Sequence, residues 1–213
     1  MQMHRVKQKP DWEYVAVDER TLWQRLAAAS HGIITPANIV TLFALSFVVS
    51  GVTLVVDRIY LLGFVFIATG RLLDLADGAV AERTQTKGPL GEALDSIADK
   101  IAFLLVFIVF ALEAIMSLWL LAGLVVLQLA NSVVVIGKKL KGEAVHTTRW
   151  GKYASLLLWS TIGMFSVVFV LEASSLASVY QLVANILAHV LYILTVVFGL
   201  LTTKSYLQFK KNK

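Results

Sequence analysis

Six apolar stretches, at about 36–56, 59–81, 94–113, 117–137, 153–172 and 183–203, occupy most of this chain of 213 residues. Each has the roughly 17 to 25 residues that a helix needs to cross the hydrocarbon core of a bilayer. With 58% hydrophobic and only 15% charged residues, the composition is that of a polytopic membrane protein. The expected fold is all-α and integral to the membrane, with six transmembrane helices preceded by a short N-terminal interfacial amphipathic helix. That helix is expected over 18–30, where Leu22, Trp23 and Leu26 would face lipid and Arg20 and Arg25 the headgroups. A single domain over 1–213 is expected: a cytoplasmic segment 1–34, a six-helix bundle 35–203 and a cytoplasmic tail 204–213. The first 15 or so residues read as an untethered, flexible terminus.

Basic residues orient the bundle. Arg5, Lys7, Lys9, Arg20 and Arg25 before the first span, Arg83 and Lys87 after the second, Lys138 to Lys152 after the fourth, and Lys204 to Lys213 at the end all fall on one side. The positive-inside rule makes that side cytoplasmic and places both termini there. The net charge of +5 is accounted for by this asymmetry and by attraction to anionic lipid. No aromatic-basic patch accompanies it, so no nucleic-acid partner is expected. No secretory leader or organelle-targeting segment is visible, and the expected location is the cytoplasmic (inner) membrane of a bacterium or archaeon.

Four aspartates interrupt the apolar pattern. Asp74 and Asp77 close the second stretch, and Asp95 and Asp99 open the third. Ionisable groups at membrane depth are costly and mark function by default. Spacings of three and four put each pair on one helical face. With a chain reversal near Thr86 and Lys87, Asp77 comes level with Asp95 and Asp74 with Asp99, so all four carboxylates converge at one depth near the cytoplasmic face. Carboxylates gathered away from bulk water repel one another unless protons or cations neutralise them. Two divalent ions would balance the four charges, and carboxylate oxygens select hard ions such as Mg²⁺, Mn²⁺ or Ca²⁺. The chain has no cysteine, and its four histidines show no ligand spacing, which argues against zinc.

Residues 74–99 read DLADGAVAERTQTKGPLGEALDSIAD. This string resembles the signature of the CDP-alcohol phosphotransferase family, D-x-x-D-G-x-x-A-R followed after eight or nine residues by G-x-x-x-D-x-x-x-D. Asp74, Asp77, Gly78, Ala81, Gly91, Asp95 and Asp99 match it. The family arginine is replaced by Glu82, with Arg83 one place later and about 100° further round a helix. Glu82 reads either as a solvated helix end or as an extra carboxylate near the cations. The glycines stand where a missing side chain admits a phosphate or a neighbouring helix.

The resemblance implies a phospholipid-synthesising transferase. A hydroxyl of a small alcohol acceptor attacks the β-phosphorus of a CDP-linked lipid donor such as CDP-diacylglycerol, or its ether analogue, and CMP leaves. Asp74, Asp77, Asp95 and Asp99 would hold two Mg²⁺ or Mn²⁺ ions, and Asp99 would also act as the general base. Gly78, Ala81 and Gly91 would border substrate. Thr35, Pro36, Asn38 and Thr41 resemble a P-N-x-x-T element near the nucleotide, with Ala37 inserted and Ala44 where an arginine often follows. The alternative for these residues is that Pro36 starts a helix while Asn38 and Thr41 make local or interhelical hydrogen bonds. Arg149 and Lys152 are candidates for the phosphate of a phosphorylated acceptor, as in the phosphatidylglycerophosphate and phosphatidylinositol-phosphate synthases of this family. Membrane lipids and, by family habit, a second copy of the chain are the implied partners. Two other classes share parts of the pattern. A Mg²⁺-dependent membrane prenyltransferase also grips a diphosphate with aspartates, and a cation carrier or scaffold would use the same carboxylates without turnover.

Overall fold

The structure is a computed structural model that describes residues 9–140, 148–174 and 178–208. Among the described residues the chain is entirely helical: a 3₁₀ turn at Asp11–Tyr14 and seven α-helices. They are α1 (Leu22–Ala29), α2 (Pro36–Val56), α3 (Tyr60–Thr84), α4 (Pro89–Leu112), α5 (Leu118–Leu140), α6 (Arg149–Ala173) and α7 (Ser178–Gln208). The six long helices occupy the six apolar stretches. Four of them, α2, α5, α6 and α7, are long and apolar enough to cross a membrane. The other two carry the charge: Arg71, Asp74 and Asp77 lie within α3, and Asp95, Asp99 and Lys100 within α4.

Caps fix helix ends that composition leaves open. Thr35 accepts from the Asn38 amide (3.1 Å) just before Pro36 in the first turn of α2. Thr148 accepts from the Gly151 amide (3.1 Å), so Arg149 to Lys152 form the first turn of α6. That helix therefore starts about four residues before the apolar run. A capping box of Thr21 and Gln24 starts α1.

The chain divides into two compact units, with the boundary inside α4 between Val109 and Phe110. In the first unit α2 and α3 pack backbone to backbone. A Cβ on Gly51 would lie 2.7 Å from the Gly63 carbonyl oxygen, and one on Gly63 would lie 2.8 Å from that of Gly51. At Gly70 the same atom would lie 2.6 Å from the carbonyl oxygen of Ala44. Small residues at such crossings let helices approach closely in lipid, where apolar burial drives association little.

The expectation of a loose first 15 residues fails from residue 9 onward. The Asp11 amide donates to the Lys87 carbonyl (2.9 Å). Trp12 is buried, with its ring occupying the space that Cβ atoms on Gly32 and Gly88 would need. A large indole facing two glycines tethers a segment that its polar neighbours make look free. Gln24, also buried, donates its side-chain amide to Gln85 Oε1 (3.2 Å), so α1 braces the link between α3 and α4. Leu22, Trp23 and Leu26 of α1 are exposed. Arg20 and Arg25, expected on headgroups, each donate Nε to a backbone carbonyl, of Val15 and of Arg20.

The second unit is knit by hydroxyl pairs between helices. The hydroxyls of Thr161 of α6 and Thr195 of α7 lie 2.8 Å apart, and each also lies 2.8 Å from a carbonyl one turn back, of Leu157 and of Leu191, so their two protons serve two of these three contacts. Thr203 of α7 donates to Asn131 Oδ1 of α5 (2.8 Å), giving Asn131 the role of interhelical glue.

Candidate metal centre

The link between α3 and α4 runs from Gln85 to Gly88, where the sequence expects the chain to reverse. Gln85 takes the left-handed conformation (φ 50°) that ends α3, and the Thr86 amide bonds back to the Ala81 carbonyl (3.1 Å). Pro89 then opens α4. This brings the two aspartate pairs together.

Carboxylate oxygens of Asp74, Asp95 and Asp99 all lie within 4.8 Å of one another, and the three residues are partly buried. Asp77 is not one of that group of three. It is buried, and its Oδ2 accepts from Thr41 Oγ1 of α2 at 2.6 Å. The structure thus gathers three of the four aspartates and commits the fourth to a hydroxyl on the neighbouring helix. Three hard oxygen donors from two helices fit a hard divalent ion such as Mg²⁺ or Mn²⁺ and would suit a soft metal poorly.

Asp77 and Asp95 both line an open cleft. Its walls also include Asn38 and Thr41 from α2, Gly78 and Ala81 from α3, and Gly91 from α4. These are the five residues that the sequence reading assigned to substrate. At Gly78 a Cβ would meet nothing within 4 Å, so the helix there faces open space. At Gly91 it would lie 3.0 Å from Asn38 Oδ1. Asn38 is itself buried, and its Nδ2 donates to the carbonyls of Gly32 and Ile33 (2.9 Å each). Its donors thus make the local bonds of the alternative reading, while its oxygen faces the cleft side of α4.

Glu82 and Arg83 are exposed and belong neither to the carboxylate group nor to the cleft wall. Of the two readings of Glu82, the geometry matches the solvated helix end. Arg149 and Lys152 sit exposed in the first turn of α6, within the second unit. Lys139 and its neighbours up to residue 147, His146 included, lie outside the described side chains.

Sequence reasoning missed Arg71. Its Nη1 donates to Asp99 Oδ1 at 2.7 Å and its Nη2 pairs with Asp74 Oδ2 at 3.1 Å. The side chains of Arg71 and Asp74 are only 12% and 11% exposed, so the pair is largely withdrawn from water. A signal was present: a lone arginine inside an apolar run, three residues before Asp74 and hence on its face. Thr86 and Lys87 from the α3–α4 link and Glu92 from α4 also line the cleft without having been singled out for it.

No curated protein and no solved structure matches the chain. The sequence model of the CDP-alcohol phosphatidyltransferase family matches residues 34–201, from the start of α2 nearly to the end of α7. The chain belongs to the CDP-alcohol phosphatidyltransferases, membrane enzymes that transfer a phosphatidyl group from a CDP-alcohol.

Proposed function

We propose that this protein is a metal-dependent phosphatidyltransferase that joins the phosphatidyl group of CDP-diacylglycerol, or an ether analogue, to a small alcohol and releases CMP. The observation that carries the reading is the convergence of Asp74, Asp95 and Asp99 beside a cleft lined by Asp77, Gly78 and Gly91.

The residues divide the work. Asp74, Asp77, Asp95 and Asp99 hold two Mg²⁺ or Mn²⁺ ions, with Asp77 oriented by Thr41. When bound, such ions neutralise a diphosphate and offset the charge on departing CMP. Gly78 leaves the α3 side of the cleft open to a phosphate, and Gly91, Ala81, Asn38 and Thr41 shape the rest. Asp99 is the base. As the acceptor oxygen bonds the β-phosphorus, the hydroxyl proton passes to an Asp99 carboxylate oxygen, and the P–O bond to CMP breaks with its electron pair going to CMP. No protein nucleophile is needed.

The surroundings follow from the same reading. All six long helices span the cytoplasmic membrane as one catalytic domain with α1 lying in the interface, and the charged hairpin opens toward the cytoplasm with both termini on that side. In α3 the charges begin at Arg71, midway along the helix, and in α4 they end at Lys100, which leaves 60–70 and 101–112 apolar. Arg149 and Lys152 are assigned to the phosphate of a phosphorylated acceptor, as in the phosphatidylglycerophosphate and phosphatidylinositol-phosphate synthases. Two copies of the chain form the working enzyme.

The test is CMP release by purified protein with CDP-diacylglycerol and a panel of glycerol 3-phosphate, inositol 1-phosphate and serine, in Mg²⁺ or Mn²⁺. The reading requires release that depends on one acceptor and stops with EDTA. Pyrophosphate release from a prenyl donor, or tight metal binding with no transfer to any acceptor, would count against it.

A further inference from the structure

Resting on the reading of the carboxylates as a divalent metal centre, we propose that Arg71 is a built-in counterion that the metal must displace, and that it thereby sets the metal affinity. The guanidinium holds Asp74 Oδ2 at 3.1 Å and Asp99 Oδ1 at 2.7 Å, one oxygen from each of two helices. Both aspartates belong to the group whose oxygens lie within 4.8 Å of one another. No step of the transfer calls for a fixed positive charge on these oxygens. Without metal the carboxylates would repel one another in a partly dehydrated setting, and a planar fork that grips two of them offsets that repulsion and keeps α3 and α4 in register. With metal the same charge is a liability. A divalent ion on Asp74 and Asp99 either competes for oxygens that the guanidinium already holds or binds a few ångströms from a like charge.

The surroundings keep that conflict local. Ala44, Gly70, Ala98 and Ala102 border the space beside Arg71 and Asp74. The balance is expected to hold the centre assembled but undemanding, so that ions bind firmly only when a diphosphate contributes further oxygens.

The experiment is a Mn²⁺ titration, followed by electron paramagnetic resonance, of the detergent-purified full chain as wild type, Arg71→Gln and Arg71→Lys. Arg71→Gln is expected to bind Mn²⁺ roughly tenfold more tightly than wild type, because a full charge beside the ions is gone. Arg71→Lys, which keeps the charge but loses the two-pronged grip, should fall between them. Metal-free Arg71→Gln should also melt at a lower temperature than wild type and gain more from added Mn²⁺. A residue that merely supported the fold would give the opposite sign, since its loss would loosen the centre and weaken binding. Equal or weaker Mn²⁺ affinity in Arg71→Gln therefore overturns the proposal. Should that variant fail to fold, Arg71→Lys decides alone, with affinity no higher than wild type overturning it. Absence of Mn²⁺ binding by wild type and Arg71→Gln alike sinks the metal-centre reading and this inference together.

Discussion

Thr41 Oγ1 approaches Asp77 Oδ2 to 2.6 Å, a bond that joins α2 to α3 at the edge of the cleft. The same hydroxyl lies 3.0 Å from the Ala37 carbonyl, where a helical threonine ordinarily donates. A hydroxyl has a single proton, and the shorter contact to a carboxylate is the one that holds it. Thr41 therefore sets the direction in which Asp77 presents its other oxygen. Hydrogen bonds to charged groups are worth about 1.5–3 kcal/mol, so Thr41→Val should lower Mn²⁺ affinity or CMP release by roughly ten- to a hundredfold, and Thr41→Ser should restore most of it. Wild-type behaviour of Thr41→Val in both assays would remove Thr41 from the site.

Asp99 and Asp77 differ in what they should do to binding and to turnover. Asp99→Asn keeps size and one oxygen acceptor but cannot take a proton at neutral pH, so CMP release should fall by at least about a thousandfold, within the scale of lost acid–base catalysis. Much of the Mn²⁺ affinity should survive. Asp77→Asn should reduce Mn²⁺ binding and turnover together. Near-normal turnover in Asp99→Asn would show that the proton goes elsewhere.

Gly78 and Gly63 look alike in sequence and should respond oppositely to alanine. Beside Gly78 a methyl group meets open cleft, so Gly78→Ala should leave thermal stability unchanged or slightly raised, alanine being the better helix former by about 1 kcal/mol. Its KM for the CDP-lipid should nonetheless rise, because the methyl occupies space that the donor needs. At Gly63 a methyl meets the Gly51 carbonyl and the amide of Val55, which cannot yield without moving the α2 backbone. Gly63→Ala should lower the melting temperature, with a cost of about 1–3 kcal/mol. A Gly78→Ala enzyme with unchanged KM would mean that the donor does not use that wall.

What the sequence disclosed here was periodic or local. Runs of about 20 apolar residues marked the six long helices, and spacings of three and four marked the aspartate pairs, because helical geometry converts both directly into placement. The reversal at 85–88 followed from where the apolar runs stop. Partner choice across helices was not disclosed. Thr41 meets Asp77, and Arg71 meets Asp99, only because Gly51, Gly63 and Gly70 let α2 and α3 close to backbone contact and the link fixes how far α4 slides along α3. No periodicity encodes that crossing. Trp12 was invisible for a related reason: its role depends on Gly32 and Gly88, which lie 20 and 76 residues downstream in the sequence.

Glu82 is the one position where the hairpin departs from its family's pattern, and its exposure makes the departure testable. It sits near the C-terminal end of α3, where a negative charge opposes the helix dipole and a positive one complements it, an effect of about 0.3–1 kcal/mol at exposed sites. Arg83 already supplies a cation in that turn. Glu82→Arg should therefore raise stability slightly, and, since position 82 lies outside the cleft wall and the carboxylate group, CMP release should stay at or above the wild-type rate. The measurement is a paired melting curve and CMP assay of the single variant. A collapse of activity with an intact melting curve would show that Glu82 takes part in the reaction from its exposed position, and Glu82→Gln would then tell whether its charge is what matters.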